Sequence, residues 1–174
     1  MNPTINMATI LAITVLKKFF IFLKTVYFCN MSSNNVILLL GSNINFPEKN
    51  IDIAIELINN RLGSIIARSS KLMTDPVEFD SKNIFCNIAV LIKTQFSPVQ
   101  LLKNIKEIEH EMGREEDSFA KGGYEDRIID IDIVEFGNIR FYSQKLMIPH
   151  LKHLYERDFS KELLTELNTN IEKK

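Results

Sequence analysis

Apolar positions along the chain switch between an unbroken or every-second-residue pattern and a spacing of three to four. The switches set the predicted order of elements. Residues 36–40 form an unbroken apolar run closed by Gly41, which predicts a buried strand. Ser42 and Asn43 continue into a turn, and Pro47 with Glu48 suits the first turn of a helix. Ile51, Ala54, Ile55 and Ile58 then share one helical face, and Gly63 stops the helix. Residues 64–71 alternate weakly and predict a second strand, followed by a polar loop over 74–82 around Asp75 and Pro76. Residues 84–93 predict a strong strand on which Phe85, Asn87, Ala89 and Leu91 share a face. Pro98 opens a second helix with an apolar stripe of Leu101, Ile105, Ile108 and Met112, ended by Gly113. Residues 114–126 are charged and poor in apolar side chains, a pattern expected of a mobile loop. A last strong strand is predicted over 128–136, and Gly137 with Asn138 turns the chain. The remainder is mixed, with a short helix expected over 161–167.

Strand, helix, strand, strand, helix, strand is the βαββαβ order. Each helix has a single apolar stripe and can cover one face of a four-stranded, mostly antiparallel sheet. The predicted class is α+β, ferredoxin-like, with C-terminal additions.

Composition narrows the possible partners. Of the 174 residues, 45% are hydrophobic and 25% charged, the balance of a soluble globular chain. The net charge of −1 gives no overall field for a nucleic acid, so any anionic ligand must be held by a local basic cluster. Cys29 and Cys86 lack zinc-ligand spacing and are too few for a disulfide framework, which predicts free thiols and a cytoplasmic protein. Nothing marks an oligomer interface, and a monomer is expected.

The first thirty residues differ from the rest. Residues 7–26 are rich in apolar side chains but interrupted by Lys17, Lys18 and Lys24. The uncharged run is shorter than the roughly 20 residues that span a bilayer, and the lysines follow the apolar stretch where a signal peptide places them before it. Residues 1–30 are read as an extension preceding a natural start at Met31, with a membrane-associating segment as the alternative. Residues 31–174 form the functional domain, for which no membrane contact is expected.

The strand over 128–136 holds the most informative chemistry. Asp130 and Asp132 project from one face, with Cα atoms roughly 6.5–7 Å apart. Two carboxylates at that distance repel by about 2–2.5 kcal/mol at an effective dielectric near 20, and strands disfavour aspartate. A hard divalent cation such as Mg²⁺ relieves the repulsion; a solvated edge-strand face is the other reading. Arg114, Arg127, Lys121 and Arg157 lie nearby in sequence and suit a magnesium–nucleotide site, although surface ion pairs use the same residues. Asn87 is an amide on an apolar strand face and needs partners. Phe85 and Phe159 can stack on a flat ring or serve as core. His150 can contact a phosphate or be structural.

These pieces, in this order, resemble the 6-hydroxymethyl-7,8-dihydropterin pyrophosphokinases of folate biosynthesis. The densest match is Asp126, Arg127, Ile128, Ile129, Asp130, Ile131, Asp132 and Ile133. Further landmarks are Leu39 to Asn43, Phe85 to Asn87, Glu109 to Arg114, Pro149 with His150, and Glu156 to Phe159. The resemblance implies transfer of the β,γ-pyrophosphoryl unit of ATP to the pterin hydroxymethyl oxygen, with release of AMP. It implies two Mg²⁺ ions on Asp130 and Asp132, and charge stabilisation by Arg114 and Arg127. Asn87, Thr74, Asp75 and Val77 would line the pterin pocket, with Phe85 and Phe159 sandwiching the ring. Glu109, Ile133, Lys145, His150 and Arg157 would bind nucleotide. The family's second loop arginine is replaced by Glu116, and Lys121 is expected to supply the missing charge. Tyr124 stands where a tryptophan often closes over the site. The loop over 114–123 is expected to close over ATP. The main competing reading is a non-catalytic ferredoxin-like metabolite-binding module. A second, a membrane-tethered interaction protein, rests on the N-terminal segment alone.

Overall fold

The computed structural model describes residues 33–77, 81–114 and 125–173. The extension over 1–30, with Cys29, and the loop positions Glu116, Lys121 and Tyr124 lie outside the described residues. Among the described residues, seven strands and three α-helices run in the order β1 (Asn34–Ser42), α1 (Pro47–Arg61), β2 (Ser64–Arg68), β3 (Leu72–Thr74), β4 (Phe85–Thr94), α2 (Pro98–Glu111), β5 (Asp130–Phe136), β6 (Phe141–Tyr142), β7 (Met147–Ile148) and α3 (Asp158–Glu172). A single π-helical turn, Lys152–Glu156, precedes α3.

The main sheet has the order β2-β4-β1-β5, with every neighbouring pair antiparallel. This is the ferredoxin-like βαββαβ arrangement. Both helices of the repeat are set by the residues the pattern named. In α1, Ile51, Ala54 and Ile58 are buried. In α2, Leu101, Ile105 and Ile108 are buried. A capping box starts α2: Gln100 N–H donates to Ser97 Oγ at 3.4 Å, and Ser97 N–H donates to Gln100 Oε1 at 3.1 Å. Both stripes pack with Val36, Leu38 and Leu40 of β1, with Cys86, Ile88, Val90 and Ile92 of β4, and with Ile131 and Ile133 of β5.

Two elements depart from the sequence pattern. The strand expected over 64–71 breaks after Arg68, and β3 starts at Leu72 and pairs with the far end of β4. At the break Ser69 keeps contact with β4, its N–H donating to Ala89 O at 3.0 Å and its Oγ accepting from Ala89 N at 3.0 Å. Ser70 turns away to Glu166 of α3, donating its N–H at 2.8 Å and its hydroxyl at 2.7 Å. Side chains thus replace ladder bonds across the gap.

The short helix expected over 161–167 is a fifteen-residue helix. Leu163, Leu164 and Leu167 cover the second face of the sheet, packing with Leu39, Ala67, Ala89, Leu91 and Val134. The sheet is therefore covered on both sides, which explains why β4 is buried from Phe85 through Ile92. Among the described residues no helix is long and apolar enough to cross a membrane.

Candidate active site

The site lies on the α3 face of the sheet, at the end where β1 gives way to the turn before α1. Three strands meet there in register. Gly41 of β1 stands between Asn87 of β4 and Asp130 of β5, and one step along Leu39 stands between Ala89 and Asp132. Strand alternation sends the side chains of Asn87, Asp130 and Asp132 to one face. The isoleucines between and after the aspartates, Ile131 and Ile133, point the other way into the core. Gly41 leaves the floor low: a Cβ there would meet Asn87 Oδ1 at 2.9 Å.

A cleft opens over this floor. Thr74, Asp75, Val77, Phe85 and Asn87 line it. Arg127, Asp130, Asp132, Arg157 and Phe159 line it as well, with His153. A wider, open groove lies elsewhere, between α1, β2 and the end of α3. Asp52, Glu56, Ile66 and Arg68 are among its lining residues.

Asn87 is buried, and its Nδ2 donates to Thr74 Oγ1 at 2.9 Å, which fixes the amide plane against β3. Phe85 lies under the Arg127 guanidinium, 5.3 Å from ring centroid to Cζ. Arg127 itself is held by Asn43: its N–H donates to Asn43 Oδ1 at 2.7 Å, and Asn43 N–H donates to Arg127 O at 3.1 Å. Asp126 ties this corner together, accepting from Asn43 Nδ2 at 2.6 Å, Ser81 Oγ at 2.7 Å and Asn83 Nδ2 at 2.5 Å. Burial works against that carboxylate, but those hydrogen bonds and Arg127 hold its pKa below the ordinary value.

Each aspartate of the pair has its own protein partner, so the repulsion inferred from the sequence is offset by protein groups. Asp130 pairs with Arg127 at 3.1 Å and more closely with Arg114. Asp132 Oδ2 lies 2.9 Å from His153 Nε2. Burial alone would raise the Asp132 pKa; the hydrogen bond and charge of His153, with His150 and Arg157, pull it far below the usual carboxylate range.

Arg114 does not line the cleft. It sits beneath Asp130, also donating to Glu109 Oε1 at 3.1 Å and to Ile129 O at 3.2 Å. Glu109 is deeper still, 1% exposed, and accepts from Ile131 N at 2.7 Å and from Lys106 Nζ at 2.7 Å. Burial and the nearby Asp130 charge push its carboxyl up to about 7 despite the Arg114 and Lys106 cations. Ile133 is buried with its side chain in the core, so only its main chain can meet a ligand. Lys145 is exposed in the turn between β6 and β7 and does not line the cleft. His150 is half-buried behind Asp132, its N–H donating to Val134 O at 2.9 Å. Lys121 lies outside the described residues.

The pattern reading did not find His153 or Ser160. His153 is 1% exposed and bridges Asp132 to Ser160, whose Oγ lies 2.8 Å from His153 Nδ1. The available signal was the spacing of His150 and His153, three apart, which places them on neighbouring positions of one helical turn. Ser160 carries no local signal.

Residues 37–169 match the family described as 7,8-dihydro-6-hydroxymethylpterin-pyrophosphokinase. The chain is 32% identical over 142 residues to the 2-amino-4-hydroxy-6-hydroxymethyldihydropteridine pyrophosphokinase of Bacillus subtilis, an alignment covering 81% of this chain and 82% of that one. It is 35% identical over 132 residues to the folate synthesis bifunctional protein of Arabidopsis thaliana, covering 76% of this chain and 26% of the relative. The fold is also that of Plasmodium falciparum HPPK-DHPS crystallised with pterin and p-hydroxybenzoate, with a TM-score of 0.58 and 19% identity, covering 79% of this chain and 40% of that one. The chain thus spans about a quarter of the bifunctional plant relative and 40% of the bifunctional structure.

Proposed function

The chain belongs to the 7,8-dihydro-6-hydroxymethylpterin-pyrophosphokinase family, and from that premise we propose how its cleft performs the transfer of pyrophosphate from ATP to hydroxymethyldihydropterin. The observation that carries the reading is the row Asn87, Gly41, Asp130. It sets a fixed amide and a carboxylate on one floor, with a low glycine between them.

The pterin lies on that floor. Asn87, oriented by Thr74, offers an amide to the heterocycle edge, and the main chain near Asp75 and Val77 supplies further hydrogen bonds. Phe85 and Phe159 flank the flat ring. This arrangement points the hydroxymethyl group toward Asp130 and Asp132. The phosphate chain of ATP lies across Arg127 and Arg157, whose planar forks match its oxygens. His150, Lys145 and the main chain of Ile133 extend the nucleotide side. Lys121 adds positive charge.

The aspartate pair fits magnesium. Both side chains present hard oxygen donors to the same cleft, and Asp132, with a third of its side chain exposed, remains accessible. Two Mg²⁺ ions held there would neutralise the polyphosphate and lower the pKa of the attacking hydroxyl. Asp130 and Asp132 orient this charge, and Arg127 balances what develops at the reacting phosphoryl group. The hydroxymethyl oxygen forms a bond to the β-phosphorus, the bond from that phosphorus to the α,β-bridging oxygen breaks, and AMP departs. The hydroxyl proton leaves to solvent. Arg114 and Glu109 act from below by fixing Asp130, and His153 with Ser160 fixes Asp132.

The test is protein, Mg-ATP and hydroxymethyldihydropterin, with nucleotide products separated. AMP is expected; ADP would redirect the assignment to an ordinary kinase. Asp130→Ala and Asp132→Ala are each expected to lower kcat by about 10³-fold or more, with circular dichroism unchanged. Wild-type turnover in both would remove the metal role.

A further inference from the structure

Three donors of a different chemical kind meet behind the aspartate pair. One carboxylate oxygen of Asp132 and one ring nitrogen from each of His150 and His153 lie within 4.8 Å of one another. The two imidazole rings are 4.3 Å apart, centroid to centroid. Their positions are fixed from outside. His153 is buried and held through Nδ1 by Ser160 Oγ at 2.8 Å, the outer contact that orients a metal-binding histidine. His150 is fixed through its backbone to Val134, and its Nδ1 is buried with no hydrogen-bond partner.

Two imidazoles and one carboxylate form a nitrogen-rich set. Magnesium prefers oxygen, whereas zinc and cobalt favour imidazole. Donors around a tetrahedral zinc lie roughly 3.3 Å apart, from bonds of about 2.0–2.1 Å. The widest pair here therefore has to close by at most about 1.5 Å, within reach of a rotation of the half-buried His150 side chain.

We propose that Asp132, His150 and His153 form a three-donor site for a borderline divalent cation of the Zn²⁺ and Co²⁺ class, separate in donor set from the Asp130 and Asp132 oxygen pair but sharing Asp132 with it. Arg157 opposes occupation, since its Nη1 lies 3.3 Å from His153 Nε2 and must turn away on its long stem. Binding itself does not depend on the catalytic reading. Its consequence does: a cation that takes Asp132 withdraws it from the magnesium pair, so zinc inhibits turnover and added Mg²⁺ relieves the inhibition.

The test uses the full chain without ATP or pterin, in excess Mg²⁺. Co²⁺ is titrated in while visible ligand-field absorption is followed, and Zn²⁺ binding is measured by equilibrium dialysis. One Co²⁺ per chain is expected, displaced by Zn²⁺ and retained against Mg²⁺. His150→Gln and His153→Gln are each expected to weaken binding about tenfold or more, the scale of losing one ligand or its support. Asp130→Asn is expected to change it less than about twofold, because that residue is outside the donor set. His150→Gln decides the matter if the buried His153 variant fails to fold. Absence of saturable Co²⁺ or Zn²⁺ binding, or binding lost in Asp130→Asn and kept in His150→Gln, overturns the proposal. Because no substrate is present, either result leaves the AMP assay to judge the catalytic reading separately.

Discussion

Gly41 shows how a single side chain sets the shape of the floor. A methyl group there would meet Asn87 Oδ1 at 2.9 Å, and the amide would have to move off Thr74. Gly41→Ala should therefore raise the pterin KM by about tenfold or more, equivalent to about 1.4 kcal/mol, with a smaller effect on the KM for ATP; steady-state kinetics in both substrates checks this. Glu109 carries a different prediction. Its carboxyl titrates near its ordinary 4.5 in the unfolded chain and near 7 in the fold. The folded state holds that proton more tightly. The resulting stabilisation is complete below the unfolded value and is lost as pH rises through 7. Glu109→Gln removes this dependence. Relative to wild type, its Tm should rise between about pH 5 and about pH 8, with about 1.4 kcal/mol per unit of pKa shift as the upper scale. A constant difference across that range would contradict the assignment. Neither property is visible in residue type alone: glycine reads as a turn, and glutamate reads as surface.

At the level of elements, hydrophobic period identified the strands and helices of the βαββαβ core because each has one dominant buried stripe or run. It underestimated α3. Beyond Leu167 the apolar signal thins to Ile171, while Thr165, Thr169 and Asn170 continue the helix on its polar side. Thr165 and Thr169 hydroxyls donate to the carbonyls of Lys161 and Thr165 at 2.7 and 3.0 Å, which satisfies these hydroxyls within the helix. Leu167, fully buried, is the anchor of this face. Leu167→Ala should destabilise the chain by about 2–5 kcal/mol, read from urea unfolding. Ser97→Ala, which removes one side of the α2 capping box, should cost only about 1 kcal/mol. The break at Ser69 leaves no trace in the pattern because the Ser69 hydroxyl and the Glu166 carboxylate take up main-chain N–H groups there, and serine spacing gives no such warning.

Over the whole molecule, α3 links the second layer of the core to the cleft. Its Leu163, Leu164 and Leu167 cover the sheet, while Phe159 and Ser160, from its first turns, face the ring site and His153. Ending the chain after Arg157 should therefore abolish pterin binding together with cooperative unfolding, and should expose the face of Leu39, Ala89 and Leu91 to a hydrophobic dye. Retained cooperative unfolding would show that the βαββαβ core stands without its second cover. By itself, the sequence determined the element order, the common face of Asp130 and Asp132, and the family to which the chain belongs, because strand alternation and short motifs are local properties. The tertiary structure alone decided which charges answer those aspartates, that Glu109 is buried while Arg127 is presented to the cleft, and that His153 joins the site. Those outcomes depend on residues brought together from β1, β4, β5, the π-helical turn and α3, and contact across such distances in sequence leaves no periodic trace.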